Sequence, residues 1–126
     1  MINDDLFSAF PSWLVRLSII ATLITLAAIS VASLAPVDSA GDPGSADKTV
    51  HVFAYALAIL PLAAVPSRLR FRIALGALIW SGAIELLQPL VGRSASFTDL
   101  LANAAGVLLG LSVTVLLRRV LVNAPR

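Results

Sequence analysis

The sequence has no cysteine, one histidine and one tyrosine. Disulfides and thiolate chemistry are therefore excluded, and cysteine usage carries no information on redox compartment. Asp47, His51, Glu85 and Asp99 are the residues that would have to converge on a cation. One imidazole and no thiol make a poor zinc set, so neither a metal nor a cofactor is expected. Charge is also scarce. Of the 126 residues 13% are charged and 59% hydrophobic, and mean hydropathy is +0.95. A soluble core of this size cannot hide so much apolar surface, so the composition indicates a membrane protein. There is no strand-like alternation, no internal repeat and no low-complexity tract. The isoelectric point near 9.9 does not indicate nucleic acid. The arginines flank apolar segments, with no basic helix or aromatic-basic surface among them.

What is present is a set of four apolar segments, residues 13–35, 49–65, 73–91 and 100–117. Each approaches or exceeds the ~17–25 residues with which a helix crosses a bilayer core. The second is the shortest, and Pro61 is predicted to kink it or end it early. The apolar part of the first is longer than the ~7–15 residues of a signal-peptide core, and Asp4 and Asp5 precede it, so it is expected to stay uncleaved. Leu6, Phe10, Trp13 and Leu17 share one helical face. They form either a short interfacial helix or the aromatic-rich start of the first span.

The basic residues set the expected orientation. Arg16 lies at the start of the first segment, Arg68, Arg70 and Arg72 fill a loop between the second and third, and Arg118, Arg119 and Arg126 follow the fourth. Only Lys48 and Arg93 remain for the other side. The expected fold is an all-α membrane protein: one domain over residues 1–126, a four-transmembrane-helix bundle with both termini cytoplasmic.

The rare polar side chains are not scattered. Asp47, His51 and Tyr55 are spaced i, i+4, i+8, so they share one face of the second helix, with Lys48 beside them. Ser81, Glu85 and Gln88 form a stripe near the outer end of the third. Asp99, Asn103, Gly106 and Gly110 form another on the fourth, and Arg93 lies in the loop between the last two. An ionisable group facing hydrocarbon costs several kcal/mol, so such groups turn inward and pair. Glu85 is expected to pair with Arg93, Lys48 or His51. Local capping is the competing explanation for Asp47 on the second helix and for Thr98 or Asp99 on the fourth. Tyr55 has a second reading as an interfacial aromatic. Gly106 and Gly110 read as a small-xxx-small packing face, with dimerisation as the minor alternative.

DKTVHVFAY, IELLQ and GRSASFTDLLANAAGVLLG, in that order, resemble the VanZ-like family of small bacterial membrane proteins. That family is named for a protein associated with teicoplanin resistance. Asp47, Lys48, His51 and Tyr55 match its D-K-x-x-H-x-x-x-Y motif, and Glu85 and Gln88 match E-x-x-Q. Arg93, Asp99, Asn103 and Gly106 match R-x-x-x-x-x-D-x-x-x-N-x-x-G. Pro36 also suits the pattern, and the resemblance spans roughly residues 13–117. It implies a multi-pass protein of the bacterial cytoplasmic (inner) membrane, in contact with membrane lipids.

Three functions are then open. The polar cluster can form an outward-facing pocket for a lipid headgroup or cell-envelope precursor, with Lys48 and Arg93 on an anion and Glu85, Asp99, Gln88 and Asn103 orienting it. Alternatively, the chain is an accessory or assembly subunit of a larger membrane protein complex, and the cluster is structural. An enzyme reading rests only on an acid–base pair of His51 and Glu85, without a nucleophile motif.

Overall fold

The computed structural model describes residues 10–36 and 44–123, with side chains described from 48 to 121 in the second stretch. Four α-helices follow in order: α1 (Ser12–Leu34), α2 (Gly44–Ile59), α3 (Ser67–Leu87) and α4 (Phe97–Asn123). Short 3-10 extensions, Leu60–Ala64 and Gln88–Val91, continue α2 and α3. No strand occurs among the described residues.

Prolines place most of the boundaries. Pro11 lies at the N-cap of α1 in extended backbone. Ala35, just before Pro36, is also extended (φ −65°, ψ 134°) and stops the helix, as a residue preceding proline tends to be held out of the α region. Pro61 removes a backbone donor, and α2 tightens into its 3-10 extension there, as its sequence predicts. Val65, before Pro66, is again extended, and α3 begins at the next opportunity. Pro89 has the same effect at the far end of α3. Gly92 then adopts the left-handed conformation (φ 78°), and the Arg93 N–H returns to Gln88 O at 3.0 Å.

Two expected boundaries are corrected. Arg68, Arg70 and Arg72 are not in a loop. They occupy the first turns of α3, because Pro66 starts the helix well before its apolar run begins. Likewise α2 starts at Gly44, so Asp47 is inside its first turns rather than at its cap; the Asp47 side chain lies outside the described residues, as do Leu6 and Arg126.

Ser12–Leu34, Ser67–Val91 and Phe97–Leu121 are long and apolar enough to cross a membrane. At ~1.5 Å per residue each exceeds the roughly 30 Å of a hydrocarbon core. Most of their apolar surface faces outward, as in Ile24, Ile79, Leu86 and Leu108. A soluble protein does not expose such continuous faces, so the chain is a membrane protein. The remaining apolar helix, Lys48–Ala64, is shorter. Its Tyr55, Ala58, Ile59 and Leu62 form the core with Val65, Leu26, Ala74, Ala77 and Val107.

The contacts fix the direction of each helix. Ser30 and Ser33 of α1 meet Trp80 and Gln88 of α3, so these two run the same way. His51 meets Asn103, and Ile59 meets Gly110, so α2 and α4 run together in the opposite direction. Phe10, Ala63, Val65 and Arg118 therefore gather at one end of the bundle, and the polar stripes gather at the other.

Gly106 and Gly110 are buried against α2. A Cβ at Gly106 would strike the Val52 carbonyl and come 2.9 Å from Tyr55 Cβ. One at Gly110 would lie 2.8 Å from both Ala56 O and Ile59 Cβ. These neighbours are backbone or backbone-anchored and cannot swing aside. Gly106→Ala and Gly110→Ala should each destabilise the protein by about 1–3 kcal/mol through overpacking, despite alanine's better helix propensity. Gly76→Ala, with nothing within 4 Å of the new methyl, should instead stabilise by about 0.5–1 kcal/mol. Thermal unfolding in detergent measures all three.

Candidate functional site

The close packing of α2 on α4 puts His51 opposite Asn103. The histidine Nδ1 and the Asn103 Oδ1 are 2.9 Å apart, both side chains buried, so the ring N–H donates to the amide oxygen. One helical turn further in, Tyr55 is only 2% exposed, which makes it a core residue and not an interfacial aromatic. Its hydroxyl lies beside that of Ser81 on α3, within electrostatic reach of Glu85. Ser81 donates to Leu78 O at 2.9 Å, which leaves its oxygen lone pairs for the phenol.

Glu85 is the only glutamate in the sequence and is 5% exposed. Its Oε2 accepts the Ser96 backbone N–H at 3.1 Å. Ser96 is the residue before α4, and its hydroxyl accepts the Asp99 N–H at 3.2 Å. Ser96, not Thr98 or Asp99, is thus the N-cap of α4; the Thr98 hydroxyl bonds the Ser96 hydroxyl at 2.8 Å. In a capping box an acid three residues into the helix turns back to the N-cap N–H. Here Glu85 fills that place from a different helix. The arrangement relieves two backbone donors at once and binds α3 to α4.

Gln88, 2% exposed, reaches α1: its Nε2 donates to Ser33 O at 3.4 Å. Its Oε1 is enclosed without a hydrogen-bond partner. Arg93 is half-buried and donates from Nη1 to Ala35 O at 3.4 Å. This differs from the expected pairing with Glu85. Arg93 follows Gly92, whose left-handed turn directs the chain toward the end of α1, while the carboxylate of Glu85 is occupied on the α4 side. Lys48 is exposed and makes no ion pair among the described residues. Asp99 is half-buried in the first turn of α4, where an acid complements the helix dipole.

The structure thus draws His51, Tyr55, Glu85, Gln88 and Asn103 into one buried end of the bundle and leaves Lys48 and Arg93 nearer its rim. Among the described residues, no three histidine, aspartate or glutamate side chains are grouped so as to hold a metal ion. Residues that the sequence pattern did not single out are Ser96, Ser33 and Trp80. Trp80 Nε1 donates to Ser30 Oγ at 2.8 Å and joins α1 to α3. The capping signature S-x-x-D at residues 96–99 was the available signal for Ser96; no local signal exists for the other two.

Glu85→Ala should orphan the Ser96 N–H and cost about 1.5–3 kcal/mol. Glu85→Gln keeps an oxygen acceptor and should cost less. Since Arg93 is bonded elsewhere, the losses of Glu85→Gln and Arg93→Gln should add in the double mutant. Thermal unfolding of the purified variants checks this, and partial recovery in the double would reveal a direct pair instead.

The VanZ/LLP1 family model matches residues 6–118. No curated protein and no solved structure matches the chain. The family match covers the first three helices, α4 as far as Arg118 and every side chain of the polar end, and the chain belongs to the VanZ/LLP1 family.

Proposed function

We propose that this protein crosses the bacterial cytoplasmic membrane four times, with both termini inside, and serves as a small accessory or assembly subunit whose polar cluster is structural. One observation carries the reading: the buried motif side chains are bonded to other helices. His51 and Asn103 join α2 to α4, Glu85 joins α3 to α4, and Gln88 joins α3 to α1. Polar groups committed in this way hold helix ends in register and leave little for chemistry on a substrate. The outward apolar faces of Leu86, Leu90 and Phe97 are then the surface offered to lipid or to a neighbouring subunit.

The fourth crossing is supported by the path of Lys48–Ala64, which leads from the polar end to the arginine end between helices that are each long enough to span. Val50, Phe53 and Leu57 of this helix are exposed, as on a helix that also meets lipid. The arginines 16, 68, 70, 72, 118 and 119 support a cytoplasmic location for their end.

A second reading keeps the outward-facing polar end as a site for a lipid headgroup or cell-envelope precursor. It is favoured by the unpartnered Gln88 Oε1, an acceptor awaiting a donor, and by Lys48 and Arg93 near the rim.

Purification from native membranes in mild detergent separates the two. A stoichiometric protein partner retained by wild type and by Gln88→Leu supports the subunit reading. A headgroup or precursor retained by wild type but lost in Gln88→Leu supports the pocket. For sidedness, cysteines at the exposed positions Arg68 and Ser94 should differ: in intact cells an impermeant maleimide should label Ser94→Cys only, and Arg68→Cys should react only after permeabilisation. Labelling of Arg68→Cys alone in intact cells would invert the topology.

A further inference from the structure

The end of the bundle opposite the polar cluster holds a charge that the family motifs do not include. Arg70, in the first turn of α3, is 4% exposed. Its Nε and Nη1 are enclosed and have no hydrogen-bond partner. The only acids whose side chains are described, Glu85 and Asp99, lie at the other end. Arg118 of α4 is close enough to repel it. Arg118 donates from Nη1 to Ala63 O (3.1 Å) and Val65 O (3.4 Å), and its Cζ is 5.4 Å from the centre of the Phe10 ring. Two guanidinium groups thus lie within electrostatic range of each other, and one of them has two orphaned donors.

Burying guanidinium donors without hydrogen-bond partners is strongly unfavourable. Packing against Leu or Val would serve the fold better than an orphaned arginine, so the position calls for an anion. Several features of the site select an oxyanion. A guanidinium presents its donors in a rigid fork suited to phosphate. The N-terminus of α3, a full-length helix, adds a positive dipole end at the same place. Arg68, Arg72 and Arg119 are exposed nearby in sequence and raise the local anion concentration. The site lies near the ends of apolar spans, and basic pockets between membrane helices near a bilayer surface take anionic headgroups.

We propose that Arg70, with Arg118 beside it, forms a site for a phosphate oxyanion at the arginine-rich end of the bundle, filled by the headgroup of an anionic phospholipid or by free phosphate. This site is independent of the polar cluster and of its assigned role.

The test uses the full chain, purified in a nonionic detergent, washed free of lipid and kept at low salt. Tm is measured with added phosphatidylglycerol, with inorganic phosphate and with chloride at matched ionic strength. Wild type should gain several degrees with phosphatidylglycerol or phosphate and not with chloride. A rise with the lipid alone identifies the headgroup as the source, and an equal rise with inorganic phosphate identifies the free ion. Arg70→Leu should lose the response, Arg118→Gln should weaken it, and Arg119→Gln, an exposed neighbour, should keep it. If Arg70→Leu does not fold, Arg70→Lys replaces it, because a point charge without the fork should respond less. No rise in wild type, an undiminished rise in the Arg70 variant, or an equal loss in Arg119→Gln would overturn the proposal.

Discussion

Close approach of α2 and α4 at Gly106 and Gly110 is the contact on which the polar end depends. The backbone of α2 touches the position where any other residue at 106 would carry a side chain. Only at that separation does the short side chain of Asn103 reach the His51 ring, and only there is Tyr55 enclosed and brought beside Ser81 and Glu85 on the third helix. The glycines act within the chain as small-xxx-small pairs act between membrane helices, by letting backbones close to a distance at which dispersion and short hydrogen bonds become effective. A bulkier residue there would separate the helices and expose the same polar groups to a medium that cannot bond them.

The buried polar side chains solve a problem that begins with the backbone. Helix ends leave N–H and C=O groups without intrahelical partners, and near a membrane these cannot rely on water. Glu85 takes the Ser96 N–H, Gln88 and Arg93 reach carbonyls at the end of α1, and Arg118 reaches the carbonyls after α2. In each case a side chain from one helix, or from the loop that follows it, serves the terminus of another. Capping and tertiary packing are therefore one process here, and a polar residue lost from one helix loosens the end of its neighbour.

The two ends of the bundle are chemically opposite. One holds neutral and acidic groups in a bonded cluster. The other holds arginines, one of them with buried donors unsatisfied by the protein. Positive charge at a membrane surface has a role in orientation, but Arg70 is enclosed where orientation alone would leave it exposed like Arg68 and Arg72. Burial is what distinguishes it as a recognition group.

Most of the architecture was legible in the sequence because hydrocarbon imposes it. Apolar length specified the helices, and Pro61 announced the change in α2. The helical spacing of His51 with Tyr55, Glu85 with Gln88, and Asn103 with Gly106 and Gly110 placed each set on one face. Three helices could be phased in this way because side-chain direction within a helix is a local property. What the sequence could not decide was which face met which. Glu85 had several bases as candidate partners; its carboxylate also accepts a backbone N–H, and Arg93 bonds α1. Charge complementarity is visible in a sequence, whereas a backbone donor looks the same at every residue and becomes a partner only where the chain leaves it unsatisfied. The arginines 68, 70 and 72 share a composition and a spacing, and only packing of α3 against its neighbours buries the middle one. Local physics determined the helices and their polar faces; the tertiary structure alone decided the partners, because they depend on how closely two backbones can approach.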